Sequence, residues 1–186
     1  EAAAKAIERA YYQRIHTFIA TSDIHVKEKF KKDKGWVLES AVKAVRKAKS
    51  YFRDVEFSTE DFGRSDTKYI IEVVTEAIRA GATTINLPDT VGWTTPHENY
   101  AKVKQVIEAV KEKGLEAIFS VHNHNDFGMA TANTLMGVLA GARQVEVTIN
   151  GIGERAGNAA LEEIVAILGE RELGRTRITT HLIGPI

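Results

Sequence analysis

The stretch Val121-His122-Asn123-His124-Asn125-Asp126, which follows the apolar run Ala117-Ile118-Phe119-Ser120, decides both the fold and the site. Alternate residues of a β-strand face the same side, so His122 and His124 are expected to point their imidazoles into one space. A His-x-His pair alone is as often a polar strand end as a pair of metal ligands. The amide and the carboxylate that follow are typical partners of metal-binding imidazoles, and they favour a metal site here.

A short apolar strand followed by an amphipathic helix repeats along the chain. Strands are predicted over residues 15–20, 55–58, 83–87, 117–121 and 145–149. Asp66 and the pair Thr95-Pro96 are predicted to begin two of the helices. Strand starts recur roughly every 30 to 40 residues, which is typical of consecutive βα units in a parallel sheet. Right-handed crossovers then bring the carboxyl ends of the strands, and the polar residues that follow them, to one edge.

Composition excludes several classes of function. The 186 residues carry 25 basic and 25 acidic side chains, so neither a nucleic acid nor an anionic membrane is an expected partner. The absence of cysteine excludes disulfides and thiolate ligands, so any metal must be bound by nitrogen and oxygen. No apolar run approaches the roughly 20 residues of a membrane span, and no signal-peptide pattern is present. We therefore expect a cytoplasmic protein.

The two ends of the chain differ from the repeat. Residues 1–13 are predicted to form an N-terminal helix, because Glu1-Ala2-Ala3-Ala4-Lys5 is a strongly helix-forming unit that also serves as a spacer. A natural helix and an added spacer are both open interpretations. Residues 14–168 are predicted to carry the βα repeat as one domain, which the family resemblance described next implies to be part of a barrel, and residues 169–186 are predicted to be a C-terminal tail.

Several motifs together resemble the catalytic barrel of the 2-isopropylmalate synthase family, which includes citramalate and homocitrate synthases. They are Arg14-Ile15-His16-Thr17-Phe18-Ile19-Ala20-Thr21-Ser22 and residues 55–58, 82–92, 121–126 and 150–158. The resemblance implies an α/β fold, a TIM (β/α)8-type barrel, of which about five βα units are present. It also implies a metal-dependent Claisen condensation of acetyl-CoA with a 2-oxo acid.

The family resemblance implies a ligand set for the metal. His122, His124 and Asn158 resemble the two imidazole ligands and the amide ligand. Nitrogen and oxygen donors suit Mg²⁺, Mn²⁺ and Zn²⁺ almost equally. An ion held this way, with open positions, can chelate a 2-oxo acid and polarise its carbonyl. The expected reaction is the conversion of 2-oxoisovalerate to 2-isopropylmalate in leucine biosynthesis by a homo-oligomer, with citramalate or homocitrate synthesis as the alternative.

The resemblance also assigns roles to residues around the metal. Glu60 resembles a catalytic acid or base near the acetyl methyl group, and Thr90, His16 and Ser58 resemble residues that contact the 2-oxo acid. Each has a structural alternative: Glu60 as a solvated carboxylate, Thr90 as a turn hydroxyl and His16 as a core histidine. Glu154-Arg155 is interpreted first as a structural ion pair and second as a contact to a cofactor or phosphate.

The sequence also departs from the family pattern. A complete barrel takes about 250 residues, and the family's Arg-Asp-Gly motif, which supplies a metal-binding aspartate, is absent from this sequence. A second hypothesis is therefore a catalytically inactive, truncated or engineered partial-barrel scaffold that self-associates through exposed edges at residues 15–20 and 145–149. A third hypothesis is a metal hydrolase of the amidohydrolase type, in which a His-x-His pair belongs to the first strand.

Overall fold

The computed structural model describes residues 1–184 and contains one parallel sheet. Its strands lie side by side in chain order: β1 (Arg14–Ala20), β2 (Asp54–Glu60), β3 (Thr84–Asp89), β4 (Ile118–Asn123) and β5 (Gln144–Glu146). Every neighbouring pair is parallel. The repeat of five βα units predicted from the sequence is therefore confirmed.

Helices flank the sheet and connect its successive strands, and the two helix starts predicted from the sequence are confirmed. They are α1 (Ala2–Ala6), α2 (Lys34–Lys49), α3 (Thr67–Ala80), α4 (Pro96–Glu112), α5 (Ala130–Ala140) and α6 (Leu161–Glu170). The Asp66 carboxylate accepts a hydrogen bond from the third backbone N–H beyond it and so caps α3. A capping box between Thr95 and Glu98, with proline at the first helical position, starts α4. No helix within residues 1–184 is long and apolar enough to cross a bilayer.

Three segments differ from the sequence prediction. The helix predicted over residues 1–13 forms only at Ala2–Ala6, where Ala4 is the one buried residue, so little packing supports a longer helix. The last strand stops at Glu146, because the backbone of Thr148 pairs with Ala159 of the following loop. A π-helix at His25–Phe30 was not predicted.

The predicted tail, residues 169–186, has little regular structure beyond the end of α6. A short 3-10 turn at Thr180–Leu182 is its one further element within the described part of the tail. Residues 185 and 186 lie outside the described residues.

The two faces of the sheet have opposite chemistry. The outward residues of the strands are apolar and buried beneath the helices: Val55, Phe57, Ile85, Leu87, Phe119 and Val121. The residues that alternate with them are mostly polar: His16, Glu56, Ser58, Asn86, Ser120, His122, Gln144 and Glu146. Burial of the first set against the helices stabilises the fold. The second set forms a polar inner face whose side chains are available to bind ligands.

The sheet curls so that its two edges approach each other. Arg14, at the start of β1, donates a hydrogen bond of 2.7 Å to the side chain of Gln144, at the start of β5. These strands are the opposite edges of the sheet. The inner face is therefore the concave wall of a trough.

Candidate functional site

The predicted metal ligands converge at the carboxyl end of β4. Nε2 of His122 lies 3.0 Å from Oδ1 of Asn158. The rings of His122 and His124 are stacked, with centroids 5.1 Å apart and an interplanar angle of 19°. The alternation of the strand thus brings the two imidazoles together, and the loop after β5 adds the amide.

The loop that carries Asn158 is tied directly to the end of β4. The N–H of Ala159 donates to the carbonyl of Asn123 over 3.1 Å, and the N–H of Asn125 donates to the carbonyl of Gly157 over 2.9 Å. Gly157 has a φ of 95°, which disfavours other residues, and a side chain there would collide with the carbonyl of Gly151. The glycine-rich motif therefore places an amide beside the imidazoles, which is its clearest structural role.

His122 lies between two oxygen acceptors. Nδ1 is 2.8 Å from Oε2 of Glu146, and Nε2 faces the amide oxygen of Asn158. Burial acts to lower the pKa of His122, but the Glu146 carboxylate and the Asn158 amide outweigh burial and raise it. Two hydrogen-bond acceptors on opposite sides favour an imidazole that carries both protons, and a divalent cation bound at Nε2 would take the place of one proton.

His124 offers a nitrogen with no protein partner. Its Nδ1 is buried and makes no hydrogen bond to any described residue. Burial lowers the pKa of His124, and the nearby His122 and Arg155 lower it further, so the neutral imidazole is favoured. A buried nitrogen without a partner is costly unless a ligand satisfies it.

The donors are two imidazoles and one amide, which match a metal that prefers nitrogen and oxygen. Among residues 1–184, no group of three or more His, Cys, Asp or Glu side chains is arranged to hold a metal. A carboxylate ligand is thus not part of the arrangement within the described residues. The residues present fit a divalent ion that keeps open positions for a substrate and for a further ligand.

A carboxyl pair lies on the inner face behind His122. Burial, together with the nearby Glu146 carboxylate, raises the pKa of Glu56 to about 7. Burial acts to raise the pKa of Glu146 as well, but its hydrogen bonds to His122 and Glu56, together with the charges of His122 and His16, outweigh burial and lower the pKa to about 2. The two carboxyls are adjacent, so the more strongly bonded one is ionised first.

His16 and Ser58 face the trough from β1 and β2. Nε2 of His16 lies 2.7 Å from the Ser58 hydroxyl, which also accepts a 3.0 Å hydrogen bond from the amide of Asn86. Burial lowers the pKa of His16, an effect that His122 and Arg14 strengthen. The structure therefore brings His16 and Ser58 into one hydrogen-bonded group on the inner face.

Glu60 is the last residue of β2, and His122 is the next-to-last residue of β4, so both lie at the carboxyl edge of the parallel sheet. The sheet register aligns Glu60 with Ala20 of β1. Its carboxylate accepts hydrogen bonds of 3.0 and 3.2 Å from Lys29 and lies 3.7 Å from Nε2 of His25. Glu60 is thus held by two residues of the π-helix and is not freely solvated.

Thr90 follows β3 on the rim of the trough. Its hydroxyl oxygen accepts a 2.8 Å hydrogen bond from the N–H of Asp61, beside Glu60. Since the hydroxyl proton is not used in that bond, Thr90 can still donate to a ligand. Its carbonyl accepts a 2.8 Å hydrogen bond from Arg155.

Arg155 ties three loops of the rim together. It donates to both carboxylate oxygens of Asp126, at 2.6 and 2.9 Å, and to the Thr90 carbonyl. The predicted ion pair with Glu154 is present at 3.4 Å, but Asp126 is the closer partner. The guanidinium is therefore a structural clamp, in keeping with the first interpretation of the sequence.

Sequence reasoning missed the inner-face partners of the candidate metal ligands. Glu56 and Glu146 were not singled out, nor was His25 beside Glu60. The available signal was the alternation within Val55-Glu56-Phe57-Ser58, where charged and polar residues interrupt a buried strand. A charged residue at every second position of such a strand indicates a polar interior face.

Comparison with known proteins supports both the fold and the family. The HMGL-like family model matches residues 1–183. The chain is 60% identical over 168 residues to the 2-isopropylmalate synthase of Thermosynechococcus vestitus. The matched residues make up 90% of this chain and 31% of the relative. It is 52% identical over 186 residues to the 2-isopropylmalate synthase of Parabacteroides distasonis, a match that covers 98% of this chain and 37% of that relative. The chain thus spans about a third of the length of the curated relatives it matches.

Solved structures share the fold at low sequence identity. The hydroxymethylglutaryl-CoA lyase of Pseudomonas aeruginosa superimposes with a TM-score of 0.77 at 21% identity, over 96% of this chain and 62% of the lyase. The carboxyl transferase domain of Rhizobium etli pyruvate carboxylase gives a TM-score of 0.65 at 21% identity, over 98% of this chain and 34% of that one. The predicted fold class, an α/β chain with part of a TIM-type barrel, is confirmed, as is the resemblance to 2-isopropylmalate synthases.

Proposed function

The chain belongs to the HMGL-like family, and we propose that it supplies the metal-binding part of an acyltransferase that condenses acetyl-CoA with a 2-oxo acid. The observation that carries the proposal is the convergence of His122, His124 and Asn158 at the mouth of a polar trough. The preferred acceptor is 2-oxoisovalerate, since relatives that are 52% and 60% identical to this chain over the matched residues are 2-isopropylmalate synthases.

The two imidazoles and the Asn158 amide oxygen would hold the divalent ion, either Mg²⁺, Mn²⁺ or Zn²⁺. When bound, such an ion polarises the carbonyl of a chelated 2-oxo acid. The stacked rings and the tied loop fix the donors before the metal arrives, which lowers the cost of binding.

The remaining predicted residues would contact the substrates. Glu60, whose carboxylate accepts a hydrogen bond from Lys29, would remove a proton from the acetyl methyl group. The hydroxyl of Thr90, which keeps its proton for donation, would bind the oxo acid. His16 and Ser58 would form the wall of the pocket on the side of β1 and β2.

Metal binding by the isolated chain is the first test. Isothermal titration with Mn²⁺ and with Zn²⁺ is expected to give a single site, which His122→Ala combined with His124→Ala abolishes. His97→Ala, which removes an exposed imidazole from α4, is the matched control and should bind as the unsubstituted chain does. Equal binding by the double variant would refute the metal site.

Release of coenzyme A is the second test. We expect metal-dependent release from acetyl-CoA with 2-oxoisovalerate, and less with pyruvate or 2-oxoglutarate. Glu60→Gln should lower the rate by about 100-fold or more, as expected for loss of a general base. A faster rate with either of the other acids would favour citramalate or homocitrate synthesis instead.

A catalytically inactive partial-barrel scaffold is the alternative, and the open edges of the sheet favour it. β1 and β5 each have a strand neighbour on one side only among the described residues. Free edges promote association, so this alternative predicts a stable oligomer with metal binding but no release of coenzyme A. Light scattering coupled to size exclusion gives the mass that decides whether the chain self-associates.

A further inference from the structure

An unbroken line of polar side chains runs along the inner face from the start of β1 to His122. We infer that Glu146 is a positioning residue, which holds the His122 imidazole so that Nε2 is directed at the metal. The inference rests on the proposed function, because it concerns the same metal site.

The contact itself is short and lies across neighbouring strands. His122 and Glu146 are aligned in the register of β4 and β5, and Nδ1 lies 2.8 Å from Oε2. A carboxylate beside Nδ1 accepts a hydrogen bond from the Nδ1–H group. This bond fixes the rotation of the ring and leaves Nε2 as the ligand atom. It also makes Nε2 a stronger electron donor towards a cation.

Glu146 also contacts inner-face residues on the side away from His122. Its other carboxylate oxygen lies 3.4 Å from the hydroxyl of Ser120, which accepts a hydrogen bond of 3.2 Å from Gln144. Gln144 donates a second bond, of 3.1 Å, to Glu56. The orientation of the Glu146 carboxylate is therefore set by neighbours that are not metal ligands.

The line ends at a guanidinium that joins both edges of the sheet. Arg14 donates to Gln144 over 2.7 Å and to Glu56 over 3.0 Å. These contacts close the trough at the amino ends of the strands and fix the spacing of β1, β2 and β5. The position of the His122 ring thus depends on how the sheet curves, as well as on its own strand.

Metal affinity measures this role without requiring turnover. We expect Glu146→Ala to weaken Zn²⁺ binding by about 10- to 100-fold, which is typical for loss of such a partner. Glu146→Gln keeps an oxygen that can accept from Nδ1 but loses the charge, so a smaller loss is expected. Glu108→Gln, which changes an exposed carboxylate on α4, should leave the affinity unchanged.

The absorption spectrum of bound Co²⁺ reports the ligand geometry directly. Glu146→Ala should shift its d–d bands, whereas Glu108→Gln should not. Thermal melts of both variants check that the fold is intact, and the near-isosteric Glu146→Gln provides the measurement if the alanine variant does not fold.

The outcomes separate the two proposals. Unchanged Zn²⁺ affinity and unchanged Co²⁺ bands in Glu146→Ala would overturn the positioning role while leaving the metal site in place. Failure of the unsubstituted chain to bind Zn²⁺ or Co²⁺ at His122 and His124 would refute the metal site, and the positioning role with it.

Discussion

The outer and inner faces of the sheet are made by alternate residues of the same strands, yet they do different work. On β2, Val55 and Phe57 point into a fully buried apolar layer, whereas Glu56 and Ser58, which alternate with them, line the polar trough. Outer residues contribute stability through the area they remove from water. Polar inner residues such as His16, Glu56 and His122 are instead held by hydrogen bonds to residues on other strands. The difference teaches that stability and chemistry can be changed separately in this fold.

Replacing an outer-face phenylalanine should give the largest effect. Phe57→Ala removes a side chain with no exposed surface and is expected to lower the free energy of unfolding by about 3–5 kcal/mol. Phe18→Ala on the neighbouring strand is the control, because Phe18 is 61% exposed and lies on the inner side; we expect a loss under about 1 kcal/mol. Urea unfolding of both variants measures these losses. Similar losses of unfolding free energy would contradict the difference between the two faces.

The inner-face carboxyl Glu56 should make stability depend on pH. Its pKa is raised from 4.5 to about 7 in the fold, so the folded state favours the protonated form. The contribution of Glu56 to stability is then complete below about pH 4.5 and is lost as pH rises through 7, by up to about 3 kcal/mol.

Glu56→Gln removes this titration and should reduce the fall in stability between about pH 5 and 8. Exposed Glu108 supplies the control, since Glu108→Gln should keep the slope of the unsubstituted chain. Denaturant melts at several pH values measure both. A slope that persists in Glu56→Gln would assign the dependence to another group.

The rim, where the inner face meets the loops, should be sensitive to backbone strain. Gly157→Ala forces a side chain onto a backbone with φ of 95° and against the Gly151 carbonyl. We expect a loss of at least about 1–2 kcal/mol together with weaker Mn²⁺ binding, because Gly157 precedes Asn158.

Gly169→Ala is the matched control for the rim. Gly169 lies in α6 with nothing within 4 Å of an added side chain. Alanine is the better helix former, so this variant should gain about 0.5–1 kcal/mol. Thermal unfolding and Mn²⁺ titration would contradict the prediction if both variants behaved alike.

The hydroxyl of Thr90 should give the smallest effect on stability. Thr90→Val removes the acceptor of the Asp61 N–H and is expected to cost about 1 kcal/mol. Thr90→Ser keeps the acceptor and should lose less. If Thr90 also binds the 2-oxo acid, the valine variant should raise the KM for that acid while the serine variant does not.

The sequence predicted most of the frame, and the failures have local causes. The beginnings of α3 at Asp66 and of α4 at Thr95 could be predicted, because helix capping depends on residues within one turn. The strand predicted over residues 145–149 was too long, since the Thr148 backbone pairs with Ala159 from a later loop. The helix predicted over residues 1–13 was too long because most of it lacks packing partners.

The candidate site was predictable in part. His122 and His124 were paired by strand alternation alone, and the family motif added Asn158. The side-chain partners in the site could not be predicted from the sequence. They are Glu146, which contacts His122, and Lys29 and His25, which contact Glu60. These contacts depend on strand order and loop packing, which no local pattern encodes.

By itself, the sequence determined the βα repeat, the shared side of His122 and His124, and the exclusion of thiolate ligands. These follow from periodicity and composition, which act over a few residues. Only the tertiary structure decided that Arg14 reaches Gln144 across the trough and that Glu146 accepts from His122. The physical reason is that the curvature and register of the whole sheet set the distances between residues far apart in the chain.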